Sequence, residues 1–227
     1  MIKLEKTSVM NMENAIRGAR NPMNSWDRSD SYSMISYDDE LEYEDCFPRF
    51  VMGENDLALA RKLVKAGSDH RKFLRQIFVS VDITAPLYWW KEMDTYKVAT
   101  VANSCSTMHK IHAKEFTFDD FSHEHLYSRL GESYEAMDCL TDIIDCLNKY
   151  RNLYLETKDK LWWWQMIQLL PSSYNQLRTV TLNYETLLNI YHARRHHKLD
   201  EWYTVCDWIE TLPYFKKMCL EEKAYGN

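Results

Sequence analysis

The sequence predicts an α/β protein of the helix-rich α+β kind, with a mixed sheet flanked by long helices. Three observations predict it. Glycine and proline are scarce, five of each in 227 residues, which leaves little provision for tight turns and favours helices. One segment, residues 78–84, alternates apolar and polar side chains and is rich in β-formers. Several longer stretches repeat apolar residues at three- and four-residue intervals, the spacing of one helical face. A hydrophobic share of 45% is normal for a globular chain, and this length can bury a core without staples. A single domain over 1–227 is expected.

In chain order, residues 8–20 begin with a short apolar run and lead into a helical segment from Asn14 to Arg20. Residues 21–50 are polar, with an acidic run from Asp38 to Asp45, and read as a surface loop or insert. Asn55 and Asp56 open a helix with Leu57, Ala60, Leu63 and Val64 on one side, ended by Gly67. Phe78-Val79-Ser80-Val81-Asp82-Ile83-Thr84 is the clearest strand. Pro86 is tolerated in a first helical turn, and the helix it starts would carry Leu87, Trp90, Met93, Tyr96 and Lys97. Residues 127–154 form a long amphipathic helix with Leu130, Tyr134, Met137, Leu140, Ile144 and Leu147 on one side. Further helices are expected over 161–170, stopped by Pro171, and over about 174–194 and 199–211. The stretch from Tyr96 to Ser106 reads either as a ligand-binding segment or as a buried helix with small residues at its contacts.

A formal charge of −6 argues against a general nucleic-acid binder, and no run approaches the roughly 20 apolar residues of a membrane span. The opening Met1-Ile2-Lys3-Leu4-Glu5 carries no signal-peptide core. Six cysteines without a C-x-x-C pair fit a cytoplasmic protein with reduced, mostly buried thiols, and Cys105 reads as a packing thiol. His192 and His196 have metal-binding spacing on a helix, and His109/His112 and His123/His125 add imidazoles. No acidic or Cys ligand completes a pattern, so no metal is expected. Trp162-Trp163-Trp164 cannot share one helical face, so at least one is expected to be exposed in the monomer and to suit a subunit interface.

Two segments carry the likeness of a known family. The first runs Ile83-Thr84-Ala85-Pro86-Leu87-Tyr88-Trp89-Trp90-Lys91-Glu92-Met93-Asp94-Thr95-Tyr96-Lys97. It resembles the family's passage from strand through proline and aromatics to Arg-Gln and then Arg-His-Arg. The second comprises Leu170-Pro171, Asn183, His192-Ala193-Arg194 and Leu199-Asp200-Glu201-Trp202, at the family's ungapped spacing. These segments resemble the flavin-dependent thymidylate synthases, the ThyX family, and the likeness spans about residues 55–211. It implies a ThyX-like fold, a homotetramer with FAD between subunits, and reductive methylation of dUMP with methylenetetrahydrofolate and reduced flavin.

The resemblance also implies a damaged substrate site. Thr95 stands where the family has its phosphate-binding arginine, and Glu92 where it has a substrate-contacting glutamine. Lys97 keeps a charge but lacks the planar fork of arginine. Without a gap, Thr100, Ala102, Asn103, Cys105 and Thr107 fall on the later signature positions; with one inserted residue, Asn103 and Ser106 fall on the family's Asn and Ser, and Met108 on its Arg. Ile167 and either Thr204 or Val205 replace two further arginines. The flavin side is better kept. The resemblance puts His70, Tyr96, Lys97, His192 and Arg194 beside the cofactor, and Arg75 adds a cation for a flavin phosphate. Asn103 and Ser106 would orient the base or ribose. The cluster Arg194 to Lys198, with Arg195 and His197, is either a solvated helix end or a relocated anion pocket. No catalytic residue is singled out. Three readings stand: a divergent FAD enzyme acting on dUMP or a related pyrimidine nucleotide, an inactive ThyX-fold binding or assembly protein, and an unrelated helical interaction domain.

Overall fold

The computed structural model describes residues 2–36, 47–127 and 135–221. Packing divides the chain into two compact units. One holds Met1–Glu5, Asp82–Tyr96 and Ala102–Val180; the other holds Lys6–Val81, Lys97–Val101 and Thr181–Asn227. Strands β1 (Lys3–Met10), β4 (Phe78–Pro86), β5 (Val101–Ser104) and β6 (Asn175–Asn183) form a four-stranded sheet in the order β1–β4–β6–β5. The helix-rich α+β expectation holds.

In the first unit, β4 runs into α3 (Leu87–Met93), followed by the short α4 (Thr107–Lys110), α5 (Ala136–Thr157) and α6 (Lys160–Leu169). Leu140, Ile144 and Leu147 of α5 recur at helical spacing and pack with Ile111, Phe116, Phe121 and Met166. The α5 terminus is set by a capping box between Glu135 and Asp138, so Tyr127 lies outside the helix. Leu130 and Tyr134 of the expected stripe fall outside the described residues. Of the tryptophan triplet, Trp164 is exposed, Trp163 donates its indole N–H to Met108 C=O at 2.9 Å, and Trp162 stacks on Tyr150.

In the second unit, α1 (Met12–Ala19) leads through two single-turn 3-10 helices to a two-stranded antiparallel ribbon, β2 (Tyr32–Ser36) against β3 (Phe47–Val51). Its register places Tyr32 opposite Val51. The expected loop over 21–50 is therefore partly ordered structure, and its acidic run lies outside the described residues. The ordering comes from a buried carboxylate. Asp56 on α2 (Glu54–Lys65) is ion-paired with Arg20 at 2.6 Å and accepts from the Ser29 and Ser31 hydroxyls at 2.7 and 2.6 Å. Asp30 answers by accepting from the N–H groups of Asn55 and Asp56 at the start of α2. Gly53 lies so close to Asp30 that any side chain there would collide with it.

Further expectations need correction. Residues 175–183 form β6, where a helix over about 174–194 was expected. Gln176, Val180 and Leu182 face inward at even spacing, and Thr179-Val180-Thr181 is a β-branched run, so period two wins over the helical pattern. The helix begins only at α7 (Tyr184–Arg194), where the Asn183 side chain accepts from the Thr186 N–H at 2.9 Å. Asn183→Ala is expected to destabilise the chain by about 1 kcal/mol, the usual cost of losing such a cap, and an unchanged urea midpoint would count against it. Two short helices, α8 (Glu201–Thr211) and α9 (Phe215–Cys219), close the unit.

The second correction concerns Tyr96 to Ser106, which is not a buried helix. The α3 helix stops at Met93, and Ala99 adopts a left-handed φ of 55°. The chain then runs into β5, all of whose residues are exposed. Nor are the thiols mostly buried: Cys105, Cys139 and Cys146 are exposed, so Cys105 does not serve packing. Only Cys206 among the described cysteines is buried outright, and burial pushes its thiol up to about 11.

Candidate functional site

The cofactor candidates His70 and Arg75 flank the turn between α2 and β4. His70 is exposed, and its backbone N–H donates to Gly67 C=O at 3.0 Å. Arg75 is exposed and donates to Ser68 C=O at 3.1 Å. A carbonyl leaves the guanidinium charge uncompensated, and no described carboxylate pairs with it. The Asn183 amide donates to the Arg75 carbonyl at 3.2 Å, so one side chain both caps α7 and holds the Arg75 backbone. Next to this turn, Arg71 is ion-paired with Glu185 at 3.0 Å.

Tyr96 and Lys97 lie in the turn after α3, Tyr96 half-buried and Lys97 exposed. Thr186 donates its hydroxyl to Val98 C=O at 3.1 Å, which ties the segment carrying Lys97 to the first turn of α7. No described carboxylate pairs with Lys97.

The other end of α7 gathers the remaining candidates of the second unit. His192 is exposed. The Arg194 guanidinium lies over the Trp202 ring, 4.9 Å from its centroid, and the His197 ring meets the same indole edge-on at 6.4 Å. His197 Nδ1 also accepts from the Leu199 N–H at 3.2 Å, so one ring nitrogen is occupied locally. Trp202 is completely buried and serves as the platform for both.

Arg195, a candidate for the anion pocket, already has carboxylate neighbours. Its guanidinium is bonded to Asp207 and lies 3.6 Å from Glu210. The Asp207 hydrogen bond raises its affinity for the proton further. Glu210 also accepts from the Tyr191 hydroxyl at 2.6 Å and from Lys216 at 3.0 Å. Those two hydrogen bonds hold the Glu210 carboxyl below its ordinary value, and burial together with the carboxylate pushes the Tyr191 hydroxyl up to about 12. The cluster is an interhelical ion network across α7, α8 and α9.

The substrate candidates Asn103 and Ser106 belong to the first unit. Asn103 is exposed on β5. Ser106 is also exposed, and its hydroxyl accepts from the His109 N–H at 3.0 Å, which makes it the cap of α4. Gln176 donates its amide to Cys105 C=O at 2.7 Å, which fixes the backbone between these two residues.

One constellation escaped the sequence reading. Arg178 on β6 lies with its guanidinium 4.2 Å from the Trp90 ring centroid, donates to Gln176 Oε1 at 3.0 Å and pairs with Asp94 at 2.8 Å. Once 175–183 is read as a strand, Gln176 and Arg178 share a face by period two. Among the described residues no three His, Cys, Asp or Glu side chains cluster closely enough to hold a metal. No described helix is long and apolar enough to cross a membrane.

The arrangement of helices and strands is that of the ThyX-like fold. Two solved structures define the likeness. Thymidylate synthase X from Helicobacter pylori, with FAD and dUMP, superposes with a TM-score of 0.65 at 14% identity, over 97% of this chain and 98% of that one. The UMP/dUMP methylase PolB from Streptomyces cacaoi, bound with 5-Br dUMP, superposes at 0.59 and 13% identity, over 96% of this chain and 91% of that one. No family model matches the sequence, and neither does any curated protein.

Proposed function

We propose that the chain is a flavin-dependent methylase of a pyrimidine nucleotide, dUMP or a close relative, working on the ThyX-like scaffold as a homotetramer with methylenetetrahydrofolate as carbon donor. The observation that carries this reading is the end-to-end likeness to an enzyme structure holding FAD and dUMP. PolB, with the same fold, is described as acting on UMP as well as dUMP. That breadth suits a chain whose phosphate contacts differ from the family pattern.

The side chains present fit an anionic dinucleotide. Arg75 and Lys97 are exposed, and no described carboxylate neutralises them; His70 and His192 are exposed imidazoles. A diphosphate is bound by such unspent cations and lost without them. Bound flavin would supply the hydride; the protein's part is to bind, orient and shield. Arg75 and Lys97 would meet phosphate oxygens, Arg194 would lie against the ring system, and Asn103 and Ser106 would orient the base or ribose.

The test is an absorption spectrum of protein purified with FAD, followed by titration with dUMP and UMP. Flavin bands that shift on adding either nucleotide are expected. Lys97→Glu should weaken FAD by about 1.5–3 kcal/mol, the scale of one charge-assisted hydrogen bond, or roughly ten- to a hundredfold in Kd. Unchanged affinity in that variant would remove Lys97 from the site. A second reading, an inactive binding or assembly protein on the same scaffold, is favoured by the sequestration of Arg195 in its carboxylate network. Protein that takes up no flavin and answers no nucleotide would decide for it.

A further inference from the structure

A cavity lies wholly within the second unit, between the β2–β3 ribbon, the start of α1 and the α8–α9 corner. Its volume is about 950 Å³, enough for a mononucleotide, and none of the candidates named above lines it.

Its charges do not all cancel. Glu210 is committed to Tyr191, Lys216 and Arg195, and Glu221 lies 3.6 Å from Arg61. Arg49 and Lys217 also line the cavity, and neither side chain has a carboxylate partner among the described residues. Lys217 contributes only its carbonyl, which accepts from Arg61 at 2.7 Å. Against these two cations stands Glu13, whose carboxylate is met, among the described residues, only by the Ser33 hydroxyl at 2.9 Å. The cavity thus offers two cations and one acceptor that lacks a charged donor.

Its wall is aromatic. Phe50 and Tyr214 meet edge to face at 6.5 Å. Tyr214 is held in a left-handed conformation, φ 57°, which a bulky residue adopts only where its surroundings force it. Here its hydroxyl accepts from the Met52 N–H at 3.0 Å, fixing the ring on the cavity wall. A ring for stacking, cations for phosphate and a carboxylate for an amine together describe one kind of ligand.

We propose that this cavity binds a nucleoside phosphate whose base carries an exocyclic amine. The base lies against Phe50 and Tyr214, its amine donates to Glu13, and its phosphates meet Arg49 and Lys217. Because Lys216 lines the cavity and shares Glu210 with Tyr191 and Arg195 of α7, occupancy would be felt at the α7 end that carries His192 and Arg194.

The experiment is calorimetric titration of the full chain with ATP and with ITP, whose base has a carbonyl in place of the amine. ATP is expected to bind at least tenfold more tightly than ITP. Lys217→Glu and, independently, Arg49→Glu should each weaken ATP tenfold or more at unchanged Tm. Glu13→Gln should erase the preference for ATP. Equal binding of ATP and ITP to the unmodified chain would overturn the proposal. So would ATP binding that resists both charge reversals, or that is lost instead in Lys97→Glu, which would assign the signal to the flavin site. Absence of any heat with ATP would overturn it while leaving the flavin reading untouched.

Discussion

Replacing Asp56 by alanine is expected to destabilise the protein by about 3–5 kcal/mol, the cost of breaking a buried ion pair from one side. Arg20 is 3% exposed and Asp56 1%, so the orphaned guanidinium would have no route to water without opening the structure. One Arg20 nitrogen, Nη2, already lacks a hydrogen-bond partner among the described residues, so the site has little reserve. The loss extends beyond the pair. One Asp56 oxygen accepts from the Ser29 and Ser31 hydroxyls and from the backbone N–H groups of Asp30 and Ser31. Removing it releases the chain between α1 and the β2–β3 ribbon. Double replacement, Arg20→Met with Asp56→Leu, should recover part of the loss because no charge is left buried. Recovery should be incomplete, since the serine and backbone donors still lose their acceptor. Urea denaturation of the three variants measures this. Full recovery would show that the donors around Asp56 contribute nothing.

The same carboxylate makes stability depend on pH. Burial alone would push the Asp56 carboxyl up, but hydrogen bonds from Ser31, Ser29 and Arg20, together with the Arg20 charge, outweigh it and hold the carboxyl below its ordinary value. A group bound more weakly by protons in the folded state stabilises above its unfolded pKa, near 3.9, and that contribution is lost as pH falls through the folded value. Stability contributed by Asp56 should therefore be complete at neutral pH and disappear in acid. In the double variant this acid-sensitive component should be absent.

Much of the scaffold was legible because its signals are local. The β4 strand shows in strict alternation from Phe78 to Thr84, and α2 shows in the stripe of Leu57 and Ala60 ended by Gly67 at φ 99°. The β2–β3 ribbon was illegible because what orders it is a contact 25 to 36 residues away, from Arg20, Ser29 and Ser31 to Asp56. The β6 strand was missed because Leu177, Val180, Leu187 and Leu188 also fit a helical repeat, and the β-branched run that decides between the periods is only three residues long. The candidate site divides in the same way. The cofactor positions proposed at His70, Lys97 and Arg194 rest on order and spacing in the sequence. That Arg195 belongs to Asp207 and Glu210 depends on how α7 packs on α8, which spacing within α7 does not contain.

The Trp202→Ala variant joins the core to that site. Trp202 is 0% exposed, so truncation should cost about 3–5 kcal/mol, the range for deleting a buried aromatic ring. Its two neighbours set it apart from an ordinary core residue. Arg194 rests on its face at 4.9 Å and His197 meets its edge at 6.4 Å. Removing the indole takes away the surface that orients both, and a cation over a ring contributes about 0.5–1 kcal/mol at a partly exposed site. Trp202→Phe retains an aromatic face and fills most of the volume, so it should cost less and leave the guanidinium placed. Two measurements separate the roles. Urea denaturation should rank the stabilities as unmodified chain, then Phe, then Ala. Flavin titration, at a temperature where all three are folded, should follow the same order if Arg194 flanks the cofactor. Equal flavin affinity in all three, with the stability order intact, would confine Trp202 to the core and remove Arg194 from the binding site.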